Sequence, residues 1–307
     1  MDAIATENLT KAFGPLTAVD ALTLSVAPGE IFGLVGPDGA GKTTTMRLLT
    51  AIMDPTAGRA EVLGLDTVRQ AEEIKPAIAY MSQRSSLYAD LTVMENLLFY
   101  ADIYEVPRRE LGSRIERLLE FSNLGPFKRR LAGNLSGGMR QKLGLMCALV
   151  HSPRVLFLDE PTNGVDPVSR RDFWRILYQL LREGATIFVS TAYLDEAERC
   201  HRLALIHRGK LLAAGSPDEV KKLMRGTILE VRSSNPRQAA VILRERLPGM
   251  SVGLFGDRVH VVTDDPEAAP KIIRDAVVSS GIEMLTCTPV DPSLEDVFIS
   301  VISGGKP

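Results

Sequence analysis

The 307-residue sequence contains no apolar run of 18 or more residues. Its longest apolar stretches, Leu143–Val150 and Val155–Leu158, are the size of core elements, so the chain is not expected to span a membrane by itself. Cysteine is scarce. Cys147, Cys200 and Cys287 lie far apart with no C-x-x-C pairing, which excludes a disulfide framework and a zinc site and predicts buried thiols in a reducing compartment. The N-terminus, MDAIATENLTKAFG, lacks a basic stretch followed by an apolar one, so no secretion signal is read and a cytosolic location is expected. An excess of either charge is also missing. Lys+Arg 36 against Asp+Glu 38 leaves a net charge of −2, which argues against a nucleic-acid binder or a polybasic membrane-surface protein. Gly 25 and Pro 18 show no low-complexity excess, and 45% hydrophobic with 24% charged residues is ordinary for a soluble globular chain. At roughly 150 residues per domain, the length suggests two domains.

Short apolar runs alternate with helical patterns along most of the chain, which predicts an α/β domain built on a mainly parallel sheet. Ile31–Val35, Val155–Leu158 and Thr186–Val189 are nearly unbroken Val, Ile, Leu and Phe followed by Gly, Asp or Ser, as strands buried on both faces are. Ligands should therefore collect at their C-terminal ends. Between about Thr92 and Leu131 the pattern is helical without strands, opening on the capping box Thr92-Val-Met-Glu95, and a helical subdomain is placed at about 84–150. After Gly226 the order strand, helix, two strands, helix, strand (the last at Ile282–Cys287) predicts a small ferredoxin-like α+β domain. The division is placed at 1–225 and 226–307.

Gly36-Pro37-Asp38-Gly39-Ala40-Gly41-Lys42-Thr43 satisfies G-x-x-x-x-G-K-[ST] and stands between the Ile31–Val35 strand and an expected helix Lys42–Met53. Glycines let the backbone wrap with its N–H groups turned toward phosphate oxygens, and the helix N-terminus adds positive dipole. Lys42 then reaches the β and γ phosphates and Thr43 binds Mg²⁺. Val155-Leu-Phe-Leu-Asp159-Glu160 is a buried strand ending in two carboxylates, and strand alternation would send them to different tasks. Asp159 is placed for the Mg²⁺ shell and Glu160 for accepting a proton from the attacking water. Ser136-Gly137-Gly138 opens a further helical stretch, where a hydroxyl and free N–H groups make either a simple cap or a second anion site.

These motifs, in this order over roughly residues 3–225, resemble the ATP-binding subunits of ABC transporters. The resemblance implies that 36–44, with Thr44, is the Walker A loop, Gln83 the Q-loop residue touching Mg²⁺ and water, 135–139 the signature motif, 155–160 Walker B and 163–166 the D-loop. It also implies that Phe13 stacks on adenine. On the residues alone, Phe13 reads equally as a strand-end core aromatic, Gln83 as a turn residue, and Asp166 as an N-cap before Pro167. In that family two such domains pair head to tail around ATP, and closure drives an integral-membrane permease on a separate chain. Pro292-Ser-Leu-Glu-Asp-Val-Phe298 resembles the end of the drug-resistance and ABC-2 type exporter branch.

Three positions depart from the family pattern. Met139 stands where the commonest signature has Gln, Asp38 where Walker A usually has Asn, and Ala192 in Ser190-Thr-Ala-Tyr-Leu-Asp-Glu196 where the H-loop histidine contacts the γ-phosphate. His201 and His207 lie too far downstream to replace it without rearrangement. The reading is thus an ATP-binding and ATP-hydrolysing subunit that uses ATP and Mg²⁺, pairs with a second ATP-binding domain in a homo- or heterodimer, and sits on the inner face of the cell membrane through a permease. The alternative is a degenerate, slowly hydrolysing regulatory subunit beside a competent one. No nucleic-acid partner is expected, since there is no basic stripe and no long coiled-coil insertion between Lys42 and Ser136.

Overall fold

A computed structural model describes residues 1–83, 87–224 and 226–302. The expected start of the helical subdomain at 84 and the expected domain end at 225 lie outside the described residues. The chain divides after Ala214 into two units. This division precedes the short helix Pro217–Lys221 because that helix packs on the last helix of the second unit.

The first unit runs β1 (Ile4–Phe13), β2 (Leu16–Val26), β3 (Ile31–Val35), α1 (Lys42–Leu49), β4 (Ala57–Val62), β5 (Leu65–Asp66), α2 (Ala71–Ile74), β6 (Ile78–Met81), α3 (Val93–Ile103), α4 (Arg108–Ser122), α5 (Gly137–Leu149), β7 (Val155–Asp159), α6 (Pro167–Arg182), β8 (Thr186–Thr191), α7 (Leu194–Ala197), β9 (Arg202–His207) and β10 (Lys210–Gly215). A six-stranded sheet in the order β10-β9-β3-β8-β7-β6 forms its centre. β3 pairs in parallel with β8 and β9, and β7 with β6 and β8. Every residue of β3, β7 and β8 is buried, which is why these strands are continuous apolar runs. The parallel ladder brings the ends of β3, β7 and β8 together, and all three point at the loop before α1.

A second, four-stranded antiparallel sheet, β2-β1-β4-β5, is not foreseen from the sequence. Its long strands mix Thr, Asn, Lys and Ala, and β1 shifts register against β2 between Thr6 and Leu9 and again near Lys11, so the period-2 signal is broken. Helix α1 stops at Leu49, short of the expected Met53, because Ala51 turns left-handed at φ 55. In the helical part the Thr92 box forms as read: Thr92 Oγ1 accepts from the Glu95 N–H at 3.1 Å, and Glu95 Oε2 accepts from the Thr92 N–H at 2.7 Å. Cys147 and Cys200 are buried, and burial pushes both thiols up.

The second unit runs α8 (Pro217–Lys221), β11 (Thr227–Ser233), α9 (Pro236–Arg246), β12 (Ser251–Phe255), β13 (Arg258–Thr263), α10 (Ala269–Val278), β14 (Met284–Val290) and α11 (Leu294–Ile302). Its antiparallel sheet has the order β12-β13-β11-β14. This is the ferredoxin-like arrangement that the element order suggests. Leu229, Val231, Leu243, Val261 and Ile273 centre the core beneath it. The terminal helix α11 is an addition to the expected order. Ser293 caps it, donating from N and Oγ to Asp296 Oδ2 at 2.9 and 2.6 Å.

Asp296 also ties α11 to the sheet, since its Oδ1 lies 2.7 Å from His260 Nδ1 on β13. The hydrogen bond to Asp296 raises the His260 pKa above the usual 6.5, with Glu230 adding its charge 3.7 Å away. Arg232 and Arg258 in turn pair with Glu230. Burial pushes the Asp296 carboxyl up, but the bonds from His260 and Ser293 outweigh it and leave the carboxyl below the usual 3.8. The signs give a window. His260's contribution is complete below pH 6.5 and is lost as pH rises through its raised folded value, while that of Asp296 is lost as pH falls through its lowered one. Thermal melts should therefore separate the parent from His260→Gln most near pH 6 and progressively less as pH rises from 6.5 through that folded value. A separation independent of pH would contradict the assignment.

Candidate functional site

The loop Gly36–Gly41 is shaped for close backbone approach. Gly41 has φ 105, and a Cβ there would meet the Ala18 carbonyl oxygen at 2.2 Å; one at Gly36 would meet the Ile206 oxygen at 2.3 Å. Gly39, at φ 76, also takes the left-handed region that glycine favours. The loop is anchored at one end by the Gly36 N–H, which donates to the Thr191 carbonyl at the end of β8, 3.2 Å away. At its other end Thr43 and Thr44 stand, partly exposed, in the first turn of α1, where N–H groups have no helical partner.

Lys42 is 4% exposed and folds back over this loop. Its Nζ donates to the carbonyls of Gly36 at 2.8 Å and Pro37 at 3.0 Å, and pairs with Glu160 Oε1 at 2.9 Å. The other carboxylate oxygen of Glu160 accepts from Gln83 Nε2 at 2.8 Å and from Asn163 Nδ2 at 3.2 Å. Gln83, exposed in a bend after β6, thus joins Lys42 and Glu160 in one constellation. Glu160 itself reaches this position differently from the strand alternation that separates it from Asp159 on paper. β7 ends at Asp159, and Glu160 turns left-handed at φ 48, a conformation that costs an L-residue about 1–2 kcal/mol. Its backbone N–H is held there by Ser190, through the carbonyl at 3.1 Å and Oγ at 3.0 Å.

Asp159 is fully buried at the strand end. Ser190 Oγ donates to its Oδ1 at 2.6 Å and the Tyr80 hydroxyl to its Oδ2 at 3.2 Å. Burial, followed by the negative charge of Asp159, pushes the Tyr80 hydroxyl up to about 12, so it stays protonated as a donor. Tyr80 escapes a reading of the sequence, whereas Ser190 is visible at the end of the apolar Thr186–Val189 run, though its bond to Asp159 is not. Below them lies a second unforeseen cluster around the buried Glu196, whose Oε2 accepts from Thr191 Oγ1 at 2.8 Å and whose Oε1 accepts from Thr162 Oγ1. It locks the ends of β7 and β8 to α7.

A cleft of about 120 Å³ opens beside Ala192, and Asp38, Glu160, Asn163 and Tyr193 share its walls. Two of the three departures from the family pattern, Asp38 and Ala192, therefore face the same space. His201 is not a stand-in: its Nδ1 accepts from the Ile31 N–H at 3.2 Å, at the opposite end of β3.

The remaining expected residues lie elsewhere. Phe13 ends β1 and is 46% exposed with Lys11 Nζ 5.4 Å over its ring, so it is a surface aromatic and not part of the core. Ser136 caps α5, accepting from the Met139 N–H at 3.3 Å, and Gly138 lies so close to α6 that a Cβ would meet that of Ser169 at 2.4 Å. No hydrogen bond among the described residues links Ser136–Gly138 to the Lys42 constellation. Asp166 does cap α6, accepting from the Ser169 N–H at 2.9 Å, and that bond holds its carboxyl below the usual range.

The ABC transporter family profile matches residues 19–163, and that of the C-terminal domain of DrrA1-3-like ATP-binding proteins matches residues 215–302. The daunorubicin resistance ATP-binding protein DrrA3 of Streptomyces coeruleorubidus is 36% identical over 97% of this chain and 95% of its own length. The chain belongs to the ABC transporter ATP-binding proteins. Another member, the bacitracin transport ATP-binding protein BcrA of Bacillus licheniformis, is 36% identical over 98% of each chain. The probable multidrug ABC transporter ATP-binding protein YbhF of Escherichia coli (strain K12) is 43% identical over 99% of this chain but only 53% of its own length, so the chain spans about half of that relative. A solved ATP-binding subunit of an ABC transporter superposes with a TM-score of 0.65 at 28% identity, over 72% of this chain and 92% of its own. The second unit of this ABC ATP-binding protein is a DrrA-like C-terminal domain. No helix among the described residues is long and apolar enough to cross a membrane.

Proposed function

We propose that this ABC ATP-binding protein binds ATP with Mg²⁺ and hydrolyses it to power an exporter. The observation that carries this is the convergence of Lys42 and Gln83 on the Glu160 carboxylate, at 2.9 Å to one oxygen and 2.8 Å to the other, above a loop too tight for side chains at Gly36 and Gly41. The loop N–H groups and Lys42 hold the phosphates, and Phe13 offers an exposed face for adenine. The oxygen donors at hand, the Thr43 hydroxyl, the Asp159 carboxylate and the Gln83 amide oxygen, suit Mg²⁺, a hard cation. Among the described residues no group of three acidic, His or Cys side chains forms a metal cage. That fits an ion held by few protein ligands together with phosphates. Mg²⁺ would neutralise charge developing on the phosphates. Glu160 takes the proton of the attacking water.

Because Ser136–Gly138 stands apart from Lys42 in one chain, its cap and free N–H groups are assigned to the nucleotide of a second ATP-binding domain, in a homo- or heterodimer. Relatives named for daunorubicin resistance, bacitracin transport and Nod factor export support the exporter reading and, with it, an integral-membrane permease and a place on the inner membrane face. Every residue assigned to the phosphates lies in the first unit, so the second is assigned a non-catalytic role.

The cleft beside Ala192 favours a second reading, a slowly hydrolysing regulatory subunit beside a competent partner. Losing one preorganised donor at a developing charge typically costs 10²–10³ in rate, about 2.7–4 kcal/mol, if nothing substitutes. The purified protein is expected to hydrolyse ATP slowly, and Ala192→His to raise kcat at least several-fold. A parent that is fast and indifferent to Ala192→His excludes the regulatory reading; a parent that does not bind ATP excludes both.

A further inference from the structure

We infer that Asn163 and Tyr193 are positioning residues that hold Glu160 in place of the histidine this chain lacks at Ala192. The inference rests on the proposed hydrolysis. Glu160 has donors from Lys42, Gln83 and Asn163. In that reading Lys42 turns to phosphate and Gln83 to Mg²⁺, which leaves Asn163 as the donor with no other task. A carboxylate accepts only, so Asn163 must present Nδ2 to Glu160. This turns Oδ1 to the other side, where the Tyr193 hydroxyl donates to it at 3.4 Å. The amide orientation is thereby set from both ends.

Tyr193 is in turn fixed by two contacts that do not involve the carboxylate of Glu160. Its N–H donates to Thr191 Oγ1 at 2.9 Å, and that threonine is locked to the buried Glu196. The Arg170 guanidinium sits 4.3 Å over the tyrosine ring. Arg170 Nε is buried with no hydrogen-bond partner among the described residues and lies 3.6 Å from Glu196 Oε1, so charge and the ring face are what hold it. In the line Arg170–Tyr193–Asn163–Glu160, the last three residues line the cleft beside Ala192. Orientation of the base thus comes through Asn163 and Tyr193, braced by Arg170 of α6 and by Thr191 at the end of β8.

The test is Tyr193→Phe, which keeps the ring under Arg170 and removes only the hydroxyl. The expected result is a fall in kcat of about 5-fold, the worth of one neutral hydrogen bond, with KM, ATP affinity and melting temperature unchanged. In an Asn163→Ala background the same change should have no further effect, because the two act in series. In an Ala192→His background it should cost less than about 2-fold, since the histidine takes over. A crystal structure of nucleotide-free Tyr193→Phe should show the Asn163 amide turned away from Glu160. An unchanged kcat with Asn163 still on Glu160 overturns the relay alone. So does a loss shared by KM and melting temperature, which would mark a merely structural role. A parent that binds ATP without any turnover overturns the hydrolytic reading and the relay with it.

Discussion

Lys42→Ala is expected to weaken ATP binding by about 10-fold to 10²-fold, the range of a charge-assisted hydrogen bond. Two charge changes act in the same direction. The ammonium that would meet the β and γ phosphates is removed, and Glu160, which it neutralises across 2.9 Å, is left as an uncompensated anion facing the incoming phosphates. Gln83 and Asn163 still donate to that carboxylate, so it keeps hydrogen bonds although it loses its counter-charge. Because Lys42 and Glu160 are buried, at 4% and 9% side-chain exposure, removing one partner also destabilises the fold, by about 3–5 kcal/mol for such pairs. Nucleotide titration should therefore be run well below the melting temperature of the variant. Binding as tight as the parent's under those conditions would remove the loop from its role.

How much of this was legible follows from how far apart the contributing residues lie. The Gly36–Thr43 loop and the Asp159-Glu160 pair are contiguous, so spacing alone reveals them. Strand pairing fills in what spacing cannot: Ser190 stands opposite Asp159 because β7 and β8 pair in parallel, and Tyr80 reaches the same carboxylate because β6 lies on the other side of β7. The left-handed turn at Glu160 is equally silent, since glutamate gives no local hint of φ 48. Asn163 was visible only as part of a loop resembling the D-loop, and its bond to Glu160 depends on that turn. In the fold, strands buried on both faces announced themselves, whereas the bulged, polar-flecked β1 and β2 did not. Helix α11 carried a readable start, Ser293 with an acidic residue three positions on, but lay beyond the last expected strand.

Glu160→Gln is expected to lower turnover by about 10²–10⁴ while leaving ATP binding intact or tighter. The amide matches the carboxylate in shape but cannot accept a proton from water, which accounts for the rate. Its effect on binding follows from the donors around it. The carboxylate accepts from Lys42 on one oxygen and from Gln83 and Asn163 on the other, whereas an amide has a single oxygen to offer. Either Lys42 or the Gln83–Asn163 side must then face an N–H₂ group and turn away. The ion pair that occupies Lys42 is lost in either case, so its charge becomes available to phosphate. An ATP-stabilised dimer should consequently be easier to trap by size-exclusion chromatography with this variant than with the parent. Turnover equal to the parent's would remove Glu160 as the base. A loss of turnover accompanied by weaker ATP binding would mean instead that the carboxylate is needed to shape the site around Lys42.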